Sequence, residues 1–270
     1  MAATQPLVGK RIVLTRAAED SAEFACALES LGSEIIYAPM VAFAPPDDWQ
    51  KLDDQLKRLD FFDAILFLSK HAARYIFERC AQLGIKCEGV GSANRLIAAV
   101  GPATARALKE KGIRVDYVAK KQTGESLVDE LRESLAGRRV LLPRSDRGDD
   151  RVPYALREIG ASVTEVIAYR NAPATLDPVV LARIRGGEAD AIVFASPSAF
   201  HNFRDAVGDP EIAKLSMRTE FVAIGPTTAG AVRDAGARVA VEATESTAAG
   251  LAAALTKHYQ QRNSPAARHA

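Results

Sequence analysis

The sequence predicts an α/β protein: two similar doubly wound parallel-sheet domains, joined by a two-stranded crossing, with a ligand cleft between them. Three observations predict it. The first is an internal repeat. Gly9-Lys10-Arg11-Ile12-Val13-Leu14-Thr15-Arg16 returns as Gly137-Arg138-Arg139-Val140-Leu141-Leu142-Pro143-Arg144. Asp63 to Ser69 returns as Asp190 to Ser196, and Val100-Gly101-Pro102 as Ile224-Gly225-Pro226. The offset drifts only from 128 at Gly9/Gly137 to 124 at Gly101/Gly225, so insertions are small and fall in loops. That period is far too long for a solenoid and fits two paralogous domains. The second observation is a set of short runs of Val, Ile, Leu and Phe, which read as strands buried on both faces. The third is the helical apolar spacing between those runs, which makes the sheets parallel and covered on both sides.

Taken in order, the predicted strands cover residues 11–15, 64–68, 97–100, 139–142, 191–195 and 221–224. Phe24, Leu28 and Leu31 mark a helix that Gly32 ends, and Leu127, Leu131 and Leu135 mark another ahead of Gly137. Ser69 and Ser196 follow strands and precede helices, as N-caps do. Pro197, Pro102 and Pro226 suit the first helical position. Thr123 to Ser126 and Thr244 to Thr247 start two more helices. Extended stretches at 35–43 and 163–171 are the natural crossings between domains. The residues alone leave open whether the first domain owns residues 9–37 or the two opening units are exchanged.

Composition bounds the function. The chain has 270 residues, enough for two domains, with 48% hydrophobic and 26% charged residues. Lys and Arg number 35 against 34 Asp and Glu, which gives no argument for nucleic acid or a membrane surface as partner. The first eight residues lack the apolar core of a secretory signal, and no apolar run has membrane-spanning length. Cys26, Cys80 and Cys87 form no metal-ligand pattern and read as reduced thiols of a cytoplasmic protein. His71, His201, His258 and His269 show no metal spacing. A phosphate loop and a nucleophile elbow are both missing. Gly89-Val90-Gly91-Ser92-Ala93-Asn94 lacks the third glycine of a dinucleotide fingerprint and precedes a strand instead of following one. Asp63 and Asp190 stand at strand starts, the wrong end for catalysis, and mark where the strands begin.

What remains is at the carboxyl ends of the strands, where ligands of open α/β sheets bind. Helix N-termini carry free N–H groups and partial positive charge, so a repeated set of them suits carboxylates or phosphates. The candidate binding residues are Ser69, Thr104, Ser196, Thr227 and Thr228, with Arg16 and Arg144 ending the repeated first strands. Read one at a time, each Ser or Thr only caps a helix, and the arginines form a solvated rim. Many anion sites without a strong nucleophile point to catalysis by positioning a charged substrate.

These segments, in this order, resemble the uroporphyrinogen-III synthase family. The match adds Glu125-Ser126-Leu127, Val166-Ile167-Ala168-Tyr169-Arg170 and Phe194-Ala195-Ser196-Pro197, and runs from about residue 9 to 256. The resemblance implies that the opening units are exchanged: domain one is 1–38 with 171–260, and domain two is 39–170; the polar composition of 261–270 reads as a disordered tail. It implies conversion of hydroxymethylbilane to uroporphyrinogen III, with loss of water and inversion of ring D through a spiro intermediate. It implies no metal and no organic cofactor, and a linear tetrapyrrole polycarboxylate as partner; nothing in the sequence demands more than a monomer. Tyr169 matches the family's tyrosine in the crossing segment. A phenol, pKa about 10, is a modest general acid for the departing hydroxyl, worth about ten- to a hundred-fold. Lys70-His71 departs from the family, which has uncharged residues after the serine. The competing expectation is a two-lobed cytosolic sensor that closes on a polyanion without chemistry.

Overall fold

The computed structural model describes residues 5–86, 89–92 and 94–263. The chain opens with β1 (Arg11–Leu14), α1 (Ala18–Glu29), β2 (Glu34–Tyr37) and β3 (Val41–Ala44). It continues through α2 (Gln50–Leu56), β4 (Ala64–Phe67), α3 (Lys70–Gln82), β5 (Leu96–Ala99), α4 (Pro102–Lys109) and β6 (Tyr117–Val118). Next come α5 (Gly124–Glu130), α6 (Arg132–Leu135), β7 (Arg139–Ser145), α7 (Arg151–Glu158) and β8 (Ser162–Pro173). The last third holds α8 (Pro178–Arg185), β9 (Ala191–Phe194), α9 (Pro197–Val207), α10 (Asp209–Arg218), β10 (Glu220–Ala223), α11 (Pro226–Asp234), β11 (Val241–Glu242) and α12 (Ala248–Asn263).

Two sheets result, ordered β11-β10-β9-β1-β2 and β3-β8-β7-β4-β5-β6. Under the sequence repeat β11, β10, β9, β1 and β2 correspond to β6, β5, β4, β7 and β8. The two orders are therefore the same, with β3 added at one edge of the second sheet. The pairings β1–β2, β1–β9, β9–β10 and β10–β11 are all parallel, as are β4–β5, β4–β7, β5–β6 and β7–β8. The chain forms two compact units: residues up to Ala42 together with those from Ala172 on, and Phe43–Asn171. Each boundary falls inside a strand, β3 or β8, so these neighbouring strands carry both chain crossings.

Each sheet is buried on both faces, which explains its continuous apolar strands. In the first unit Val13, Ile192, Phe194 and Phe221 face one core with Phe200, Phe203 and Leu215. The alternate residues Ile12, Leu14, Val193 and Val222 face another with Phe24, Leu28, Leu251 and Tyr259. In the second unit Ile65, Phe67, Ile97 and Leu141 pack on one side with Ile76, Phe77 and Leu108. Leu66, Ala98, Val140 and Leu142 pack on the other with Leu127, Leu131, Leu135 and Leu156. The predicted helix through those three leucines is broken at Leu131, which leaves helical geometry between α5 and α6 while all three stay in one core. Gly32, with φ +94°, and its repeat partner Gly160, with φ +79°, turn the chain out of α1 and α7 in the left-handed conformation.

Asp63 and Asp190 do the same work at the lower edge of each sheet. The Asp63 carboxylate accepts the backbone N–H of Arg139 at 2.9 Å, its own N–H donates to the Arg139 carbonyl, and its carbonyl accepts from Leu96. Asp190 makes the same three bonds with Arg11 and Glu220. Arg139 adds two guanidinium bonds to Asp63, and Lys10 adds a 3.1 Å bond to Asp190.

The expected disordered tail needs correction. Residues 260–263 are helical, because α12 runs to Asn263. Its end is anchored: Tyr259 is buried, and Arg262 pairs with Glu220, a buried carboxylate on β10 that also meets Arg238 at 2.9 Å. Residues 264–270 lie outside the described residues, as does Cys87.

Two stability outcomes follow from these contacts. The Arg139 bonds hold the Asp63 carboxyl well below the usual carboxylate range. The folded state then binds fewer protons than the unfolded state, so this stabilisation is complete above about pH 5 and is lost progressively as pH falls further. Asp63→Asn should cost about 1 kcal/mol in urea unfolding at pH 7, the ion pair being partly solvated, and less at pH 3.5. An equal deficit at both pH values would exclude the charge as cause. Among the described residues the buried Tyr259 hydroxyl has no hydrogen-bond partner, and burial raises its pKa. Tyr259→Phe should therefore melt at the same temperature as the parent or higher; a lower melting temperature would mean that the hydroxyl is satisfied.

Candidate active site

From β4 the second unit's chain winds outward to β5 and β6, then returns to lay β7 on the other flank of β4. The junction of β4 and β7 is a topological switch point, where loops leave in opposite directions and open a crevice. A pocket of about 270 Å³ lies there. It is lined by Leu68 and Ser69 after β4, Val100 after β5, Pro143, Arg144 and Ser145 on β7, Glu125 on α5, Arg151 on α7, and Tyr169 on β8. Of the sequence-predicted residues, Ser69, Arg144 and Tyr169 are thus gathered in one pocket. Ser69 caps α3 by accepting the His71 N–H at 3.0 Å, which fixes its oxygen and leaves its own O–H to donate elsewhere.

Arg144 is held by its neighbours. Its guanidinium pairs with Glu165 and with Asp150 at 3.0 Å and donates to the Gly148 carbonyl, and only 10% of the side chain is exposed. These bonds occupy the donors that a substrate carboxylate would use. Arg151, at the same pocket, is 71% exposed and is paired with Glu125 and Asp149.

Tyr169 owes its direction to a β-bulge. Along β7 and β8 the register runs Arg144 opposite Ile167, then Ser145 opposite Tyr169, so β8 carries one extra residue, Ala168. Simple alternation would send Tyr169 to the same side as the exposed Ile167. With the bulge, Ala168 and Tyr169 are buried in succession. The Tyr169 ring then lies 5.9 Å from Tyr75 and parallel to it within 9°, edge-on to Phe43 at 5.7 Å, and 5.9 Å from His71. His71 is itself buried and stacked on Phe43 at 3.6 Å, so the residue that departs from the family pattern is part of this aromatic wall.

Thr104 is buried in the first turn of α4, outside that pocket's lining. In the first unit, Ser196 caps α9 through the Ala199 N–H at 3.1 Å and touches the Ser198 hydroxyl at 3.0 Å. Thr228 is buried and Thr227 exposed in the first turn of α11. Arg16 follows β1 at the matching switch point between β1 and β9. Unlike Arg144 it has no acidic partner among the described residues, and its guanidinium lies over the Phe24 ring at 4.9 Å. Sequence reasoning missed Glu165, Glu125, Phe43 and Tyr75, since nothing in their local spacing links them to this pocket.

The two repeated arginines should therefore respond differently. Arg144→Gln leaves Glu165 and the Gly148 carbonyl short of donors, and should lower stability by about 1–3 kcal/mol. Arg16→Gln should stay within about 0.5 kcal/mol of the parent. Thermal unfolding of both variants checks this, and equal losses would contradict it.

Comparison with known proteins identifies the family. The family described as uroporphyrinogen-III synthase HemD matches residues 22–253. The uroporphyrinogen-III synthase of Synechococcus elongatus is 33% identical over 264 residues, covering 96% of this chain and 99% of its own. Among solved structures, the uroporphyrinogen-III synthetase of Helicobacter pylori superposes with a TM-score of 0.60 at 18% identity, over 92% of this chain and 99% of its own. A uroporphyrinogen III synthase of Thermus thermophilus gives 0.58 at 24% identity, over 94% and 100%. These two establish likeness of fold. The chain belongs to the uroporphyrinogen-III synthase family, cyclising lyases of tetrapyrrole biosynthesis.

Proposed function

We propose that this protein closes hydroxymethylbilane to uroporphyrinogen III with inversion of ring D, and that Tyr169 is its general acid. The observation that carries the reading is the meeting of Ser69 and Tyr169 at one switch-point pocket in a chain of this family. The reaction asks for little covalent chemistry. Electron donation from a pyrrole nitrogen expels the terminal hydroxyl, which leaves as water once the Tyr169 phenol supplies a proton. Attack by the substituted carbon of ring D gives the spiro intermediate. The older bond from that carbon to the methylene bridge of ring C then breaks, and the freed methylene bonds to the unsubstituted α-carbon of ring D, which loses the proton that restores the phenol.

The protein's larger task is selection. Closure without inversion competes, so one transition state must be bound better than the other. The substrate carries acetate and propionate groups on every ring. The hydroxyls of Ser69, Thr104, Ser196, Thr227 and Thr228, at helix starts, suit those carboxylates as donors. Arg16 is the better-suited charged partner, because Arg144 is committed to Glu165. Arg144 then shapes the pocket. We read the enzyme as a cytoplasmic monomer without nucleic-acid or membrane partners. A net charge of +1 gives no electrostatic argument for a nucleic-acid partner, and among the described residues no helix is long and apolar enough to cross a membrane.

Hydroxymethylbilane supplied with and without the protein, followed by separation of the oxidised isomers, tests the reading. Isomer III should dominate with protein and isomer I without; isomer I dominating equally in both would refute it. Tyr169→Phe should slow turnover by about ten- to a hundred-fold while isomer III remains the product. An unchanged rate would remove the acid role.

A further inference from the structure

We propose that Tyr75 is a positioning residue for this reaction: it holds Tyr169 in the direction that proton donation requires. The proposal rests on the reading of Tyr169 as the acid. Tyr75 lies on α3 and is as buried as Tyr169. Its ring runs parallel to that of Tyr169, and its hydroxyl donates a 2.8 Å bond to the Phe43 carbonyl in β3. Phe43 in turn sets its ring edge against Tyr169. One side chain therefore supports the acid twice, directly through the ring and indirectly by pinning the strand whose residue forms the next wall.

The need for this support follows from the bulge. Ladder bonding on the β7 side steps over Ala168, so the strand does not alone fix where the Tyr169 ring points. The rings around it do. β3 needs the pin as well, since it is an edge strand that, among the described residues, has only β8 beside it in the sheet.

The test is a double-mutant cycle read in kcat, KM and isomer ratio, with thermal unfolding as a control. Tyr75→Phe keeps the ring and removes only the bond to Phe43. It should lower kcat about tenfold, short of the ~100-fold that a 1 Å misplacement can cost, with KM little changed. In a Tyr169→Phe background the same change should do almost nothing, because there is no acid left to aim. No loss in the parent background, or an equal loss in both, overturns the proposal; the latter would make Tyr75 a structural residue only. Should Tyr75→Phe fail to fold, Phe43→Leu carries the same expectation, since it keeps the carbonyl and removes the ring wall. The Tyr169→Phe arm by itself reports on the acid role, so failure of that reading is seen separately.

Discussion

In each unit a single aspartate joins three strands, and the site depends on that junction. Asp190 bonds through its N–H, its carbonyl and its carboxylate to β1 and β10, and Asp63 does so to β7 and β5. β1 and β9 are about 180 residues apart in the chain, so no local turn brings them together. Closing so long a loop has an entropic cost, and the parallel ladder of only three residue pairs between β1 and β9 offsets it together with the core. The carboxylate adds an acceptor at the first rung, which fixes the register of all that follow. A slip of one residue would turn Ile12 and Val13 onto each other's faces and expel both from their cores. It would also move Arg16 and Ser196, at the opposite ends of the same strands. The aspartates are at the wrong end of the sheet for chemistry, yet the geometry of the catalytic end follows from them.

Much of this is legible in the sequence, and the reason is periodicity. The six long-run strands and the caps at Ser69 and Ser196 are marked by continuous apolar runs and by Ser, Pro and Gly at fixed offsets. The repeat makes each signal appear twice. What is not legible depends on one extra residue or on partners far away in sequence. Nothing in Val166-Ile167-Ala168-Tyr169 announces that Ala168 is a bulge, so the burial of Tyr169 cannot be read from alternation. Arg144 looks like a carboxylate binder because its repeat partner Arg16 does, while Glu165, which neutralises it, lies on the next strand. The helical end at Arg262 is hidden in the same way: its composition is that of a tail, and its anchor is Glu220.

The repeat also shows how the two halves have diverged. Their strand orders match, their switch points match, and each has a helix-capping serine after the corresponding strands β4 and β9. The side chains on those positions do not match. Arg144, near the end of β7, is locked into a network of acids, and Arg16, after β1, rests on Phe24 with no acidic partner among the described residues. The phenol of β8 has as its counterpart Val41, in the crossing strand β3. A duplicated scaffold thus supplies two sets of helix starts, whereas the tyrosine proposed as the acid occurs in one half only.

That asymmetry follows from the constraint on strands. A residue on a central strand of a doubly covered sheet is committed to one core or the other, and a polar group there is costly. β8 escapes this near its end, where the bulge releases its side chains from strict alternation and β3 supplies a new neighbour. A tyrosine at that point buries its ring among Phe43, His71 and Tyr75 while remaining on the lining of the pocket. Its ring is held by the aromatic side chains around it and the residue also lines the pocket, a placement for which an aromatic residue with a polar tip is suited. Without the extra residue, Ala168 would stand opposite Ser145 and the phenol would share the solvent side with Ile167. The extra residue in β8, rather than any unusual chemistry of the tyrosine, is what converts a capped anion-binding sheet into a candidate acid catalyst.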